Sequence, residues 1–259
     1  MTQTPEFGRR LIVTVDAKGY GSSDEPSQRE IQEAIPALLD RSADHSGLHR
    51  QDWDISSTGD GEIAVLPMTT EEPRLLDDYV REVSYGLRRH NHNRTETGRL
   101  RLRMAIHHGS AVSSPSGYYG NGIVTASRVL DSDALRGVLS DSGADLVVAV
   151  TAPVYQDVVA QGHARLRPED FRLVSVRNKE FDEPVWVHVP GTGSGTTGTR
   201  TPGTFAGDPG QDPTGQPDGE KAAARDTAPE PAQRATPAVR NEFHGSVDAP
   251  NGVFGVRYY

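Results

Sequence analysis

Two aspartates in this chain have the placement that shared coordination of a divalent cation would need. Asp16 closes the apolar run LIVTV (11–15), which reads as a buried strand. Ala17-Lys18-Gly19-Tyr20-Gly21-Ser22 then forms a glycine-containing turn whose backbone N–H groups could face phosphate oxygens. Asp60 lies in Gly59-Asp60-Gly61, a tight turn between two alternating segments that carry Trp53 and Ile55 before it and Ile63 and Val65 after it, the pattern of a β-hairpin. If the strand pairs with that hairpin, both carboxylates project from one sheet edge and could hold one or two Mg²⁺ together with a substrate's phosphate oxygens. Each aspartate alone also has an ordinary structural role, as a strand-end turn or a hairpin turn. Other polar features point less far. His107 and His108 are adjacent and face opposite sides of a strand, so they do not share one metal, and His90 and His92 flank a helix end. Arg99, Arg101 and Arg103 read as a basic stripe on an exposed strand face.

The elements that must position these residues follow from periodicity. Pro26 fits a first helical turn, and Ile31, Ile35, Leu38 and Leu39 recur at helical spacing, with Pro36 implying a kink or a late start. Pro73 opens a second helix with Leu76, Tyr79, Val80, Val83 and Leu87 on one face. The segment 99–106 alternates charged with apolar residues as a strand. Beyond a glycine-rich turn, 121–131 and 132–140 read as helices, LVVAV (146–150) as a buried strand, and 152–160 as helical. Segments 171–176 and 185–189 suit a last hairpin. The order βαββαβ with an extension predicts an α+β sandwich, helices over a mainly antiparallel sheet.

The blocks VTVDAKGYGSSD, STGDGEIAVLP, LRLRMAIHHGSAV, GNGIVTASRVLD and KEFDEPVWVHV occur in that order, and together they resemble the class III nucleotidyl cyclase catalytic domain across residues 10–189. The resemblance implies a ferredoxin-like core and a head-to-tail homodimer with two shared active sites. It also implies two Mg²⁺ or Mn²⁺ ions and conversion of a nucleoside triphosphate to a 3′,5′-cyclic nucleotide and pyrophosphate. On it, Asp16 and Asp60 match the metal-binding pair, with the Ala17 carbonyl as a minor ligand. Lys18, Gly19, Tyr20, Gly21 and Ser22 match the phosphate-contacting loop, and Arg128 matches the arginine that stabilises charge on the α-phosphate. Lys179, with Arg177 as a substitute, matches a lysine on the terminal phosphates. Departures fall on the nucleoside side. Val124 stands where the family orients the ribose with Asn, and Ser56 and Gly117 stand where adenine-selective members have Lys and Asp; Asn121 and Thr125 are the polar residues nearby. Two readings therefore stay open: a working cyclase of unassigned base preference, or a catalytically silent cyclase-like module that binds nucleotide or dimerises.

Composition bounds the remainder. Residues 191–240 hold nine Gly and seven Pro with Phe205 as their one aromatic, which predicts a disordered linker after a domain spanning 8–190. GTGSGTTG (191–198) lacks the following helix pattern and the closing Lys of a phosphate loop. The end, 241–259, is rich in strand formers around Pro250-Asn251-Gly252, and its Asn-x-Phe-x-Gly-x-Val run resembles the amyloid-signalling motifs of filamentous bacteria, which implies recruitment of a protein partner; docking on its own domain and plain disorder are the alternatives. A net charge of −9 argues against nucleic-acid or membrane-surface binding. With no cysteine, no long apolar run and no apolar centre near the N-terminus, the expectation is a soluble cytoplasmic protein.

Overall fold

A computed structural model describes residues 6–178 and 181–191. Strand β1 (Phe7–Ala17) leads into helix α1 (Glu25–His45), capped by the Asp24 carboxylate, whose Oδ1 accepts the Ser27 N–H at 3.0 Å. The helix runs through Pro36 without ending, because the ring sits on the exposed side where solvent can serve the carbonyl it frees. The hairpin β2 (Asp54–Ser57) and β3 (Gly61–Val65) precedes α2, a continuous helical segment over 72–91 with a π-type turn at Leu75–Tyr79. Strand β4 (Leu102–Ser114) folds back through the short β5 (Gly117–Tyr119) into α3 (Asn121–Leu130) and α4 (Asp133–Ser142). Then come β6 (Leu146–Thr151), the helical segment α5 over 152–159, and the hairpin β7 (Phe171–Asn178) and β8 (Phe181–His188).

All strands join one sheet in the order β2-β3-β1-β4-β6-β8-β7, with β5 paired to β4; the β4–β6 pair is parallel and the rest are antiparallel. The period of two then sorts side chains between faces. Leu11, Val13 and Val15 of β1, with Leu102, Met104 and Ile106 of β4, pack under α1, α2 and α5. The opposite face is covered as well. There Ala105, Val147 and Ala149 pack against α3 and α4 through Val129, Leu130, Leu135 and Leu139, while Ile12 and Val65 pack on Ala126.

This second covered face corrects the reading of the arginine stripe as solvated. Arg101 and Arg103 are buried, and only Arg99 lies near the surface, where it pairs with Glu96 and Asp145. Arg101 donates to the carbonyls of Ala144 and Leu139, capping the end of the α4 layer. A basic alternation is solvated only if nothing lies over it, and α3 and α4 lie over it. Among the described residues no helix is long and apolar enough to cross a membrane. Residues 192–259, including the linker from residue 192 on and the 241–259 motif, lie outside the described residues.

Candidate active site

The site is built where β1 ends between two neighbours. Asp16 is registered opposite Gly61 on β3 and opposite Arg103 on β4. Gly61 must be glycine: a Cβ there would lie 1.8 Å from the Val15 carbonyl oxygen, so the hairpin closes on β1 only without a side chain. That approach lets the Ala17 N–H donate to the Asp60 carbonyl at 2.9 Å, and it sets Asp60 beside Asp16 as the hairpin reading required. Asp60 is half-buried, with Oδ1 accepting from the Thr58 hydroxyl at 3.3 Å, whereas Asp16 is 6% exposed.

Sequence reasoning missed the third member. Arg103 grips Asp16 with both arms, Nε to Oδ1 at 2.8 Å and Nη2 to Oδ2 at 2.5 Å, and its Nη1 is buried without a hydrogen-bond partner. Burial pushes the Asp16 carboxyl up to about 6; Arg103 opposes this, while the charges of Asp60 and Asp131 add to it. The signal that could have found Arg103 was the alternation itself: if Leu102 and Met104 face one core, Arg103 shares a face with its cross-strand neighbour on β1.

These donors suit a hard divalent cation. Asp16 and Asp60 bring two carboxylates together whose mutual repulsion a cation would relieve, and because both Asp16 oxygens already accept from Arg103, a cation would have to share them with the guanidinium. The buried, unpartnered Nη1 of Arg103 marks a place where the protein's own hydrogen bonding is incomplete. Among the described residues no three His, Asp or Glu side chains gather into a ready-made cation cage, so substrate oxygens would have to complete the coordination.

Arg128 stands elsewhere on the same sheet face. Helix α3 is drawn onto β4 and β1 by Gly122, where a Cβ would meet the Ser110 carbonyl oxygen at 2.7 Å, and by the buried Ala126, whose carbonyl accepts from Thr14 Oγ1 at 3.4 Å. Arg128, Val124 and Ser127 line a cavity of about 520 Å³ with Asp131, Arg136 and Asn178, and Asn178 Nδ2 donates to the Arg128 carbonyl at 2.9 Å. Neither Asp16 nor Asp60 lines that cavity. Asn121 opens α3 on its exposed side, and Val124 is 44% exposed.

The turn after Asp16 is ordered by its own polar groups. Gly19 takes the left-handed conformation (φ 84°), and its carbonyl accepts from Ser22 Oγ at 2.9 Å and Ser23 Oγ at 3.0 Å, closing the single turn Tyr20–Ser22; Gly21 lies inside it. Tyr20 Oη accepts from Gln32 Nε2 at 2.6 Å, and the Lys18 N–H donates to the Arg101 carbonyl. Lys18, Gly19 and Ser22 line a separate cavity of about 720 Å³ with His90, Arg94 and Arg101, not one that includes the aspartate pair. Ser56 and Gly117 do come together: a Cβ on Gly117 would lie 3.3 Å from Asp54 Oδ1 and 3.9 Å from Ser56 Oγ. Lys179 lies outside the described residues, and its substitute Arg177 is paired with Asp182 at 3.0 Å. His107 is buried and hydrogen-bonded to Thr151, and His108 faces Glu72, so the two histidines do point apart.

Solved structures share this architecture. The adenylate/guanylate cyclase/hydrolase from Silicibacter pomeroyi is 19% identical, with a TM-score of 0.54 over 72% of this chain and 99% of that one. The fold is that of a nucleotidyl cyclase catalytic domain. The guanylyl cyclase Cya2 is similar at 17% identity and a TM-score of 0.51, over 72% of this chain and 93% of that one. No protein-family model and no curated protein matches the sequence. At these identities the likeness carries the fold alone.

Proposed function

We propose that this chain is a divergent nucleotidyl cyclase that converts a nucleoside triphosphate to a 3′,5′-cyclic nucleotide and pyrophosphate as a signalling output. The observation that carries the reading is the junction of Asp16 and Asp60 on adjacent strand ends, made possible by a glycine whose side chain would collide with β1. Asp16, Asp60 and the Ala17 carbonyl would hold Mg²⁺ or Mn²⁺, two ions on the family resemblance. When bound, such ions make the ribose 3′-hydroxyl a better nucleophile and neutralise phosphate charge. Arg103 brings a guanidinium to the same carboxylate and holds Asp16 in place through both of its oxygens. Arg128 donates to the charge that develops at the α-phosphate, and the backbone of Lys18–Ser22 and Lys179 serve the outer phosphates. On the family resemblance the site is shared by a head-to-tail homodimer, which would set Arg128 of one copy against Asp16 and Asp60 of the other.

Purified protein incubated with ATP, GTP, CTP or UTP and Mn²⁺ or Mg²⁺ should yield a cyclic nucleotide, and Asp16→Ala and Asp60→Ala should abolish it. No product above those controls would refute the reading. A second reading is favoured by Val124: an exposed valine offers no hydrogen bond to a ribose, and loss of one orienting group costs about 3 kcal/mol of barrier on the scale of other preorganised donors. On that reading the domain binds nucleotide or dimerises without turnover, and residues 241–259 recruit a protein partner. That segment should then assemble into fibres or capture a matching peptide, and a soluble, monomeric 241–259 peptide would count against it.

A further inference from the structure

We infer that a cavity between α2, the segment after α5 and the end of β8 binds a small apolar carboxylate. The cavity has a volume of about 290 Å³ and shares no lining residue with the aspartate pair. That volume lies at the lower end of the ~300–1,000 Å³ range of small-ligand sites. Neither metal nor nucleotide is needed there, so the site stands apart from the cyclase reading.

One wall is a stripe of α2 that changes character along its length. Val80, Ser84 and Arg88 recur every four residues in the regular part of that helix, so they lie above one another, about 6 Å apart at ~1.5 Å per residue. Leu76 lines the same wall one step earlier. Leu76 and Val80 are buried, Ser84 is 7% exposed, and Arg88 is exposed. The facing segment is held by Asp77, whose Oδ2 accepts the Arg165 N–H at 2.7 Å and whose Oδ1 accepts the Leu166 N–H at 3.0 Å. Leu166 and Pro190 add apolar surface. His188 lines the cavity too; its Nδ1 meets the Asp170 carbonyl at 3.0 Å, and burial holds the imidazole below its ordinary value, so it brings no positive charge.

The ion pairs around the cavity leave one guanidinium without an anion. Asp77 is taken up by two backbone donors, and Asp78 by Arg81 at 2.8 Å and Arg165 at 3.2 Å; Glu82 also reaches Arg81, at 3.4 Å. Arg88 makes no ion pair or hydrogen bond with another described residue, and neither does the Ser84 hydroxyl. The Arg88 guanidinium stands beside Gly191, where a Cβ would lie 3.8 Å from Nη1. A carboxylate suits this pair, because the guanidinium presents parallel N–H donors to both oxygens and the hydroxyl can donate one more. Leu76 and Val80 then call for an apolar body, since polar groups placed against aliphatic walls would lose water without gaining a partner. Phosphate alone fits the head of the site and not its walls.

The test is an amide-resolved NMR titration of the full chain with sodium octanoate, with octanol as a probe lacking the charged head and inorganic phosphate as one lacking the apolar body. Octanoate should bind saturably with a Kd on the order of 0.1–1 mM and shift the resonances of Val80, Ser84, Leu166 and His188. Arg88→Gln should weaken binding at least about ten-fold while the ligand-free thermal midpoint stays near wild type, because the side chain is exposed and unpaired among the described residues. Ser84→Leu, which fills the cavity, should abolish binding. Octanol should bind at least about ten-fold more weakly than octanoate, and phosphate should not displace it. No saturable shifts at millimolar octanoate, shifts confined to residues away from this cavity, or equal affinity for octanol overturns the inference. Displacement by equimolar phosphate, or unchanged affinity in Arg88→Gln, does the same.

Discussion

Replacing Arg50 by leucine should destabilise the domain through Glu62, which sits two residues beyond Asp60. Arg50 and Glu62 are 7% and 4% exposed, and the guanidinium meets the carboxylate end-on, Nη1 to Oε1 at 2.6 Å and Nη2 to Oε2 at 2.5 Å. Nε reaches Asp40, but that side chain is 61% exposed and its share is small. Removing the arginine strands a carboxylate in the layer under α1 and α2, and an uncompensated buried charge costs about 3–5 kcal/mol. For a domain of this size, at roughly 2–4 °C per kcal/mol, the thermal midpoint should fall by about 6–20 °C. Urea unfolding and calorimetry read this directly. The double variant Arg50→Leu with Glu62→Leu removes both charges together and should recover most of the loss, because the pair's own net worth is small against two packed apolar side chains. A single-variant cost under about 1 kcal/mol, or a double variant no more stable than the single, would refute the account of Glu62 as a carboxylate held by its partner.

Two further outcomes follow from neighbouring groups. Tyr79 is fully buried, its ring edge-on to Trp53 at 5.5 Å, and its hydroxyl has no hydrogen-bond partner. Tyr79→Phe should therefore stabilise the domain by about 1 kcal/mol in urea melts, and a loss of that size would reveal a partner. Burial, with smaller contributions from His108 and Arg9, holds the His107 imidazole down to about 4. The unfolded chain, with an ordinary value near 6.5, takes up the proton first, so the stability His107 contributes is complete above about pH 6.5 and is lost as pH falls through about 4. Between pH 7 and 4 the stability difference between wild type and His107→Gln should shift by roughly 3 kcal/mol. Asp16, displaced upward to about 6, acts in the opposite sense: its contribution is present at low pH and is lost as pH rises through about 6, which is why the difference rather than the wild-type curve isolates His107. Imidazole resonances titrating near 6.5 would contradict the burial argument.

Much of the fold was legible because local pattern decided it. The run 11–15, the Gly59-Asp60-Gly61 turn and the Pro26 and Pro73 helix starts each correspond to an observed element, and the Asp16–Asp60 junction followed from pairing one strand with one hairpin. The alternation at 99–106 predicts a strand, which the structure starts later, at Leu102, and carries on to Ser114, and two of its arginines, Arg101 and Arg103, are buried rather than solvated. A period of two says which residues share a face and nothing about what covers that face. The same gap hid Arg103, because a partner 87 residues away leaves no trace in local spacing.

Sequence by itself determined the order of the main elements, with the short β5 hidden in a glycine-rich turn, and the identity of the two aspartates and of the valine at position 124, since these depend on residue types and on periods of two and 3.6 residues. Tertiary structure alone decided the rest: that Arg103 closes on Asp16, that Arg128 lines a cavity with Asp131 and Asn178, and that Asp54 faces a bare glycine beside Ser56. Those outcomes are set by register and by the layering of helices on both faces of the sheet. Register and layering arise from packing across the whole chain, where a collision such as Gly61 against Val15 admits one arrangement and forbids its neighbours.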